Sequence, residues 1–328
     1  MKSGYTLSVY TFIKVREKVM KGVFFICALF SVFALGTITV YLFSHGVPFI
    51  SKIGFDKFFG DKWSLIAEPP SYGILPMLVT SLYVTALSVI IGVTIGLFTA
   101  VCLYKFCPKR LVTPISQTVN LLAGIPSVIF GLFGMTIVVP FLRDNVSDTG
   151  TGYGILAASI VLAIMILPTI VSVSLDAMRA VPQSYFEGAL ALGATKEQTT
   201  FKVLLPAAKS GIFAGIVLAI GRAIGETMAV IMVLGNSPVM PEGLFSSVRT
   251  LTANIALGAT EISDPDAESA LIATGVILFV FTLLLNICFT LLKQDKIEAE
   301  EKRAAKKAKR AAKNAAKKQA EAEKEQAV

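Results

Sequence analysis

The stretch Ile74–Tyr104 reads ILPMLVTSLYVTALSVIIGVTIGLFTAVCLY and holds no Asp, Glu, Lys or Arg. About 20 consecutive apolar residues carry an α-helix across the roughly 30 Å hydrocarbon core of a bilayer, so this run alone is long enough to cross it. Working outward from charge to charge, the same reading gives Gly22–Phe43 on one side and Leu111–Leu142 and Tyr153–Leu175 on the other. Beyond them come Ser210–Leu234, interrupted only by Arg222 and Glu226, and Leu271–Leu292. The whole 328-residue chain is 54% hydrophobic and 16% charged, with a mean hydropathy of +0.72. Soluble domains average about 45–50% apolar and 25% charged. The chain therefore reads as an all-α integral membrane protein with six transmembrane helices. Ile74–Tyr104 and Leu111–Leu142 exceed a straight span, so each is expected to tilt, break or carry an interfacial segment. Gly22–Phe43 is longer than the 7–15 residues of a cleavable signal core and has no convincing cleavage motif, so it reads as an uncleaved anchor.

Charge sets the orientation. Of the 30 Lys and Arg residues, 24 fall in segments that share one side of this topology, 5 fall on the other and Arg222 lies within a span. Lys and Arg accumulate on the cytoplasmic side, which places both termini in the cytoplasm. The net charge of +8 does not indicate a nucleic acid, because Lys293–Val328 contributes 12 basic and 7 acidic residues of its own. This Ala/Lys/Glu-rich tail reads as a solvated segment able to form a helix, with attraction to anionic membrane lipid as the sharper alternative. The outer segment Ser44–Gly73 is rich in aromatic residues and is expected to pack at the interface, while Gly235–Ala270 is acidic. One His and four scattered Cys offer neither a metal set nor a disulfide framework. There is no phosphate-cradling G-x-x-x-x-G-K-[ST] and no nucleophile–base pair, so the chain reads as neither an enzyme nor the carrier of a cofactor.

Ala180–Lys209, on the cytoplasmic side, is more than a connection. Pro182 suits the first turn of a helix over Gln183–Leu192 with Tyr185, Phe186, Ala189, Leu190 and Leu192 as its apolar set. Gly193 supplies the residue after its end. Thr195-Lys196-Glu197-Gln198 fits a capping box, and a second short helix runs toward Leu205 until Pro206 ends it. Glu187-Gly188-Ala189, Gly193 and Val203-Leu204-Leu205-Pro206 resemble the EAA…G…I-x-L-P loop of ABC importer permeases, with Gly188 for the usual Ala and Val203 for Ile. The resemblance implies a type I ABC importer permease fold. It also implies that Glu187, Gly188, Ala189, Gly193, Leu205 and Pro206 form a loop docking in a groove of a cytoplasmic ATPase dimer, which is where ATP is used.

Arg222 stands at the midpoint of Ser210–Leu234, and Glu226 is one turn farther on. A charge at the centre of a span costs about 2.5–3.5 kcal/mol on insertion scales, so it needs a partner or an aqueous path. In one reading the two charges neutralise each other and lock helices together. In the other, the guanidinium lines a path and its planar fork attracts an oxyanion, while Glu226 holds it in place. Gly221-Arg222-Ala223-Ile224-Gly225-Glu226-Thr227 resembles the G-R-A-x-G-E-T segment of permeases from phosphate-specific (Pst-type) ABC importers. Leu122–Gly134 is similar to their third span, and Met232–Asn236 and Ser247–Ile255 look like the PstC rather than the PstA type. The resemblance covers roughly Ile74–Leu292 and implies a substrate path for inorganic phosphate at Arg222 and Glu226; Thr227, Asn120 and Ser127 are candidate donors beside it. It further implies a homologous PstA-like second permease, a PstB-like ATPase pair and an extracytoplasmic PstS-like phosphate-binding protein as partners. Gly124, Gly131 and Gly134 read as close-packing positions before pore-lining ones. The chain then divides into an anchor and outer segment (1–73), a permease domain (74–292, with its coupling loop at about 180–209) and the basic tail (293–328). A permease for another oxyanion, an ion-coupled secondary carrier and a membrane scaffold are the rival readings.

Overall fold

A computed structural model describes residues 3–146, 151–262 and 264–291, with side chains from Arg16 onward. The basic tail, and with it the question of whether it is helical, lies outside the described residues. In chain order the elements are α1 (Ser3–Ile53), α2 (Phe55–Phe58), the strands β1 (Trp63–Ser64) and β2 (Ser71–Tyr72), and α3 (Leu75–Val101), which runs into a π-turn at Cys102–Phe106. Then come α4 (Lys109–Ala123) and α5 (Ser127–Phe133), the latter joined through a π-turn to α6 (Val139–Asn145), and α7 (Ile155–Arg179). They are followed by α8 (Gln183–Ala191), α9 (Lys196–Thr199), a π-turn at Thr200–Leu204, α10 (Leu205–Ile224), α11 (Met228–Leu234) and α12 (Leu251–Gly258). The last described helix is α13 (Pro265–Leu291). Among the described residues six helical stretches are long and apolar enough to cross a membrane, matching the expected number: Arg16–Ile53, Leu75–Phe106, Ser127–Asn145, Ile155–Arg179, Lys196–Ile224 and Pro265–Leu291.

α7 is the axis of the fold. Ala157, Ala158, Val161, Leu162, Met165, Ile166 and Ile170 are buried around its whole circumference, as expected of a helix that is apolar on every side. α3 lays against it a stripe of small and hydroxyl-bearing residues, Thr85, Ser88, Gly92 and Gly96 among them. Lipid tails are as apolar as Leu, so close backbone approach rather than hydrophobicity drives such packing. α10 also packs closely on it through Gly211, where an added Cβ would lie 2.5 Å from the Ala177 Cβ. α1 is different. It is exposed along most of its length and joins the body only at its outer end, where Phe43 meets Phe279 edge-on at 6.1 Å.

One overlong run takes a form expected of it, and one expected helix end is corrected. Leu111–Leu142 is broken at Gly124-Ile125-Pro126: Pro has no N–H and disfavours helical geometry in the residue before it. The part before the break, α4, carries Thr113, Ser116, Gln117, Thr118 and Asn120, has no buried residue and is amphipathic, so only Ser127–Asn145 is a candidate span. Pro206 does not end the short helix before it. The chain passes from α9 through the π-turn into α10 without a break, and Pro206 lies in the first turn of α10, where a missing N–H is tolerated. Gly131 and Gly134 face Met232 and Val161, which makes them packing positions, while Gly124 lies exposed at the break.

The outer segment extends α1 to Ile53 and then folds back through α2 and the β1–β2 hairpin, in which Trp63 pairs with Tyr72. Phe49, Phe58 and Trp63 share one buried cluster with Met77, Leu251, Ala267 and Ala270, so this segment caps the outer ends of α3, α12 and α13. Substituting Gly211→Val is expected to destabilise the protein by about 1–3 kcal/mol through overpacking against Ala177. Gly36→Ala, with nothing within 4 Å of the new methyl, is expected to be neutral or to stabilise by up to about 1 kcal/mol. Thermal unfolding in nanodiscs checks both.

Candidate functional site

The fifth span is interrupted where the two charges lie. α10 ends at Ile224, and the Gly225 N–H closes it on the Gly221 carbonyl at 3.3 Å. α11 begins at Met228, after the three residues Gly225–Thr227. Gly221 and Gly225 each weaken a helix by about 1 kcal/mol relative to Ala, and β-branched Thr227 adds to the effect. The expectation of one continuous helix with Arg222 at its midpoint is thereby corrected: Arg222 occupies the last turn of α10, and Glu226 lies beyond its end.

The two side chains have separate surroundings. Glu226 Oε1 accepts the Ala229 N–H at 3.1 Å, placing a negative charge at the start of α11, where the helix dipole favours it. The Glu226 carbonyl accepts the Thr252 hydroxyl at 3.0 Å. The Thr227 hydroxyl reaches only the Gly225 carbonyl, at 3.5 Å. Arg222 has no hydrogen-bond or ion-pair partner among the described residues and is exposed on this chain, while Ala219, Ala223 and Ile224 on the other face of α10 are buried. The pair therefore does not neutralise itself. Asn120 accepts a hydrogen bond from Ser172 at 3.4 Å and so ties α4 to α7.

Thr252 belongs to α12, and α12 is itself anchored at several points. Thr250 caps it by accepting the Ala253 N–H at 3.3 Å. The Leu251 N–H donates to the Ser81 hydroxyl of α3 at 3.0 Å. Ser81 is six residues into α3, so at 1.5 Å per residue this bond lies about 9 Å below the outer end of that helix. After α11 the chain turns through Gly235 and Asn236, both with positive φ, and a Cβ on Gly235 would overlap the Ser247 hydroxyl. Val248 then pairs with the end of α11, its N–H donating to the Leu234 carbonyl at 3.1 Å. Arg249 donates to the Asn236 carbonyl at 2.8 Å and to Asn254 Oδ1 at 3.2 Å. Burial pushes the Arg249 pKa below its ordinary value, an effect that Glu261 opposes.

Between α7 and α10, α8 ends as expected. Gly193 adopts a φ of +84°, and its N–H and that of Ala194 donate to the carbonyls of Leu190 and Ala189 at 2.9 and 3.1 Å, a Schellman turn. The capping box is present: Thr195 Oγ1 accepts the Gln198 N–H, and the Gln198 side chain accepts the Thr195 N–H, both at 3.2 Å. Pro182 stands one residue before the helix. Glu187 accepts from the Gln183 amide at 2.7 Å. Glu187 and Gly188 are exposed, Ala189 is half-buried, Leu205 is half-buried beside buried Leu204, and Pro206 is exposed.

Residues 92–297 match the family model of the binding-protein-dependent transport system inner membrane component. The chain belongs to this family. Among curated relatives, a probable ABC transporter permease protein, YqgH of Bacillus subtilis, is 39% identical over 265 residues, covering 79% of this chain and 84% of its own length. A phosphate transport system permease protein, PstC of Mesorhizobium japonicum, is 36% identical over 269 residues, covering 76% and 82%. The inward-facing methionine ABC transporter MetNI superposes with a TM-score of 0.55 at 22% identity, covering 68% of this chain and 95% of that one. This inner membrane component is thus a multi-pass membrane protein with the type I ABC importer permease fold.

What the sequence reading missed is the support of the break. Ser247–Ile255 was legible as a family segment, but nothing in it announced that Thr252 would reach Glu226 or Leu251 reach Ser81. The available signal was Thr250 three residues before Ala253, a helix N-cap pattern. Replacing Thr252 with the near-isosteric Val is expected to cost this family member about 1 kcal/mol, the net value of one hydrogen bond, with Thr252→Ser closer to wild type. Unfolding in nanodiscs reads the difference, and equal stability of the Val variant would show the bond contributes nothing.

Proposed function

We propose that this chain is one permease half of an ATP-driven phosphate importer, and that Arg222 meets the anion on its way through the membrane. The observation that carries the reading is the bare guanidinium at the break in the fifth span. In an importer built from two permeases the path runs between the chains, so an exposed residue on one chain faces lipid, a packed seam with the partner permease or the lumen. Facing lipid would cost about 2.5–3.5 kcal/mol on insertion scales, no carboxylate among the described residues offsets it, and a dry seam would leave the charge just as unpaired. We assign it to the lumen. There the planar donor fork suits a tetrahedral oxyanion. Glu226 acts through the backbone, keeping the break open, and Thr227 adds a hydroxyl beside it.

α8 is the proposed lever. Tyr185, Leu190 and Leu192, on α8 and at its end, are exposed apolar side chains, Leu192 by 91%, that a groove on a partner can cover. The groove belongs to a PstB-like ATPase, and ATP is hydrolysed there. Glu187, Gly188, Ala189 and Gly193 contribute the docking surface, and Leu205 with Pro206 joins it to α10. A PstA-like permease completes the path and a PstS-like protein delivers phosphate from outside. Both termini are cytoplasmic, in keeping with the distribution of Lys and Arg. The curated relatives named for phosphate transport support phosphate over another oxyanion; sulfate remains the natural competitor for the same fork.

Arg222→Gln in the reconstituted complex is expected to lower ATP-dependent phosphate uptake at least tenfold, about the 1.4 kcal/mol of one charge-assisted contact. Arg222→Lys is expected to retain part of it, and wild-type uptake by the Gln variant would refute the role of Arg222. Competition by sulfate as strong as by phosphate itself would reassign the substrate.

A further inference from the structure

We propose that Lys105 and Phe186 tie the coupling helix to the cytoplasmic end of α3, acting as positioning residues for the conversion of ATP hydrolysis into transport. The proposal rests on α8 being the ATPase-docking helix. Among the residues of α8 only Phe186 and Ala189 are partly covered; the others are exposed. So few contacts leave α8 held mainly by the chain itself, through Ala180–Pro182 from α7 and through the Schellman turn and capping box into α9 and α10. The Lys105–Phe186 contact is a further route, one made through space. Lys105 Nζ lies 3.6 Å from the centroid of the Phe186 ring and 4.8 Å from that of Tyr104, so one ammonium sits against two aromatic faces, an attractive arrangement that strengthens away from water.

The placement of this contact gives it leverage. Lys105 lies within the π-turn Cys102–Phe106, which closes with the Cys107 N–H on the Cys102 carbonyl at 2.7 Å. Such turns are over-represented where helices serve function. From there α3 runs rigidly along α7, its Gly92 and Gly96 against Ile166 and Ile170. Near its far end Ser81 holds Leu251, and α12 holds the Glu226 carbonyl. A shift of α8 thus reaches the break by two routes: through the chain into α10, and through Lys105, α3 and α12. A solvated boundary lysine with an incidental ring contact would have no such effect.

The test uses the complete transporter in liposomes, with phosphate imported per ATP hydrolysed as the readout. Lys105→Met and Phe186→Leu are each expected to lower this ratio roughly threefold or more, the scale of one lost cation–π contact. The double variant should be no worse than the poorer single one, because both remove the same contact. Lys105→Arg and Phe186→Trp, which keep a cation over a ring, should restore the ratio. Photo-crosslinking to the ATPase from a benzophenone amino acid at Leu192 should proceed equally in every variant. An unchanged ratio in Lys105→Met, or losses that add in the double variant, overturns the proposal. Crosslinking lost only in the Met and Leu variants also overturns it, assigning the contact to docking. Absence of crosslinking in the otherwise unaltered complex instead refutes the docking reading of α8.

Discussion

Inside hydrocarbon a peptide group without a partner costs several kcal/mol, so a transmembrane helix can be interrupted only where other groups take up what the break sets free. The rest of this protein is arranged around one such interruption, at Gly225–Thr227. The Glu226 carboxylate receives an N–H of the restarting helix and the Thr252 hydroxyl binds the Glu226 carbonyl. Thr252 can do so because Ser81, Thr250 and Arg249 hold α12 and its approach in place. With Glu226 committed to the break, Arg222 has no partner among the described residues, and its charge is available to something outside them.

The gross architecture was legible because charge is expensive in lipid: six apolar stretches between charges became six candidate spans. The same ruler failed where polarity is uncharged. It could not separate α4 from the third span, since Thr113, Ser116, Gln117 and Asn120 carry no charge, although Gly124 and Pro126 stood at the junction. It also made Arg222 and Glu226 neighbours on one helix, because a period of 3.6 residues assumes the helix continues, and Gly221, Gly225 and Thr227 decide that it does not. The coupling loop was read almost whole. Gly193 and the Thr195–Gln198 box are local devices whose geometry depends on their own few residues. Pro206 was misjudged because a π-turn before it lets the helix pass through. The hydrogen bonds between α12, α3 and the break join residues 26 to 170 positions apart, and no local pattern encodes them.

The glycines show how such a molecule can be both tight and movable. At Gly92, Gly96, Gly211 and Gly215 the neighbouring helix comes so close that a Cβ would be crowded, which makes α3, α7 and α10 a single packed body. The departures from regular α geometry lie elsewhere, at the π-turns and at the break. On the reading proposed above, motion of α8 would be passed to Arg222 through this packed body. That arrangement suits a device that exposes one anion site to each side in turn.

The central claim is that position 222 faces an aqueous path rather than lipid or a neighbouring helix. The most direct test places Cys at 222 in a complex whose native cysteines have been replaced, and measures its modification by a membrane-impermeant cationic methanethiosulfonate as the ATPase is cycled through its nucleotide states. The account predicts modification in at least one state, slowed by phosphate. A thiol inert in every state would contradict it, because Arg222 would then be sealed from both water and substrate.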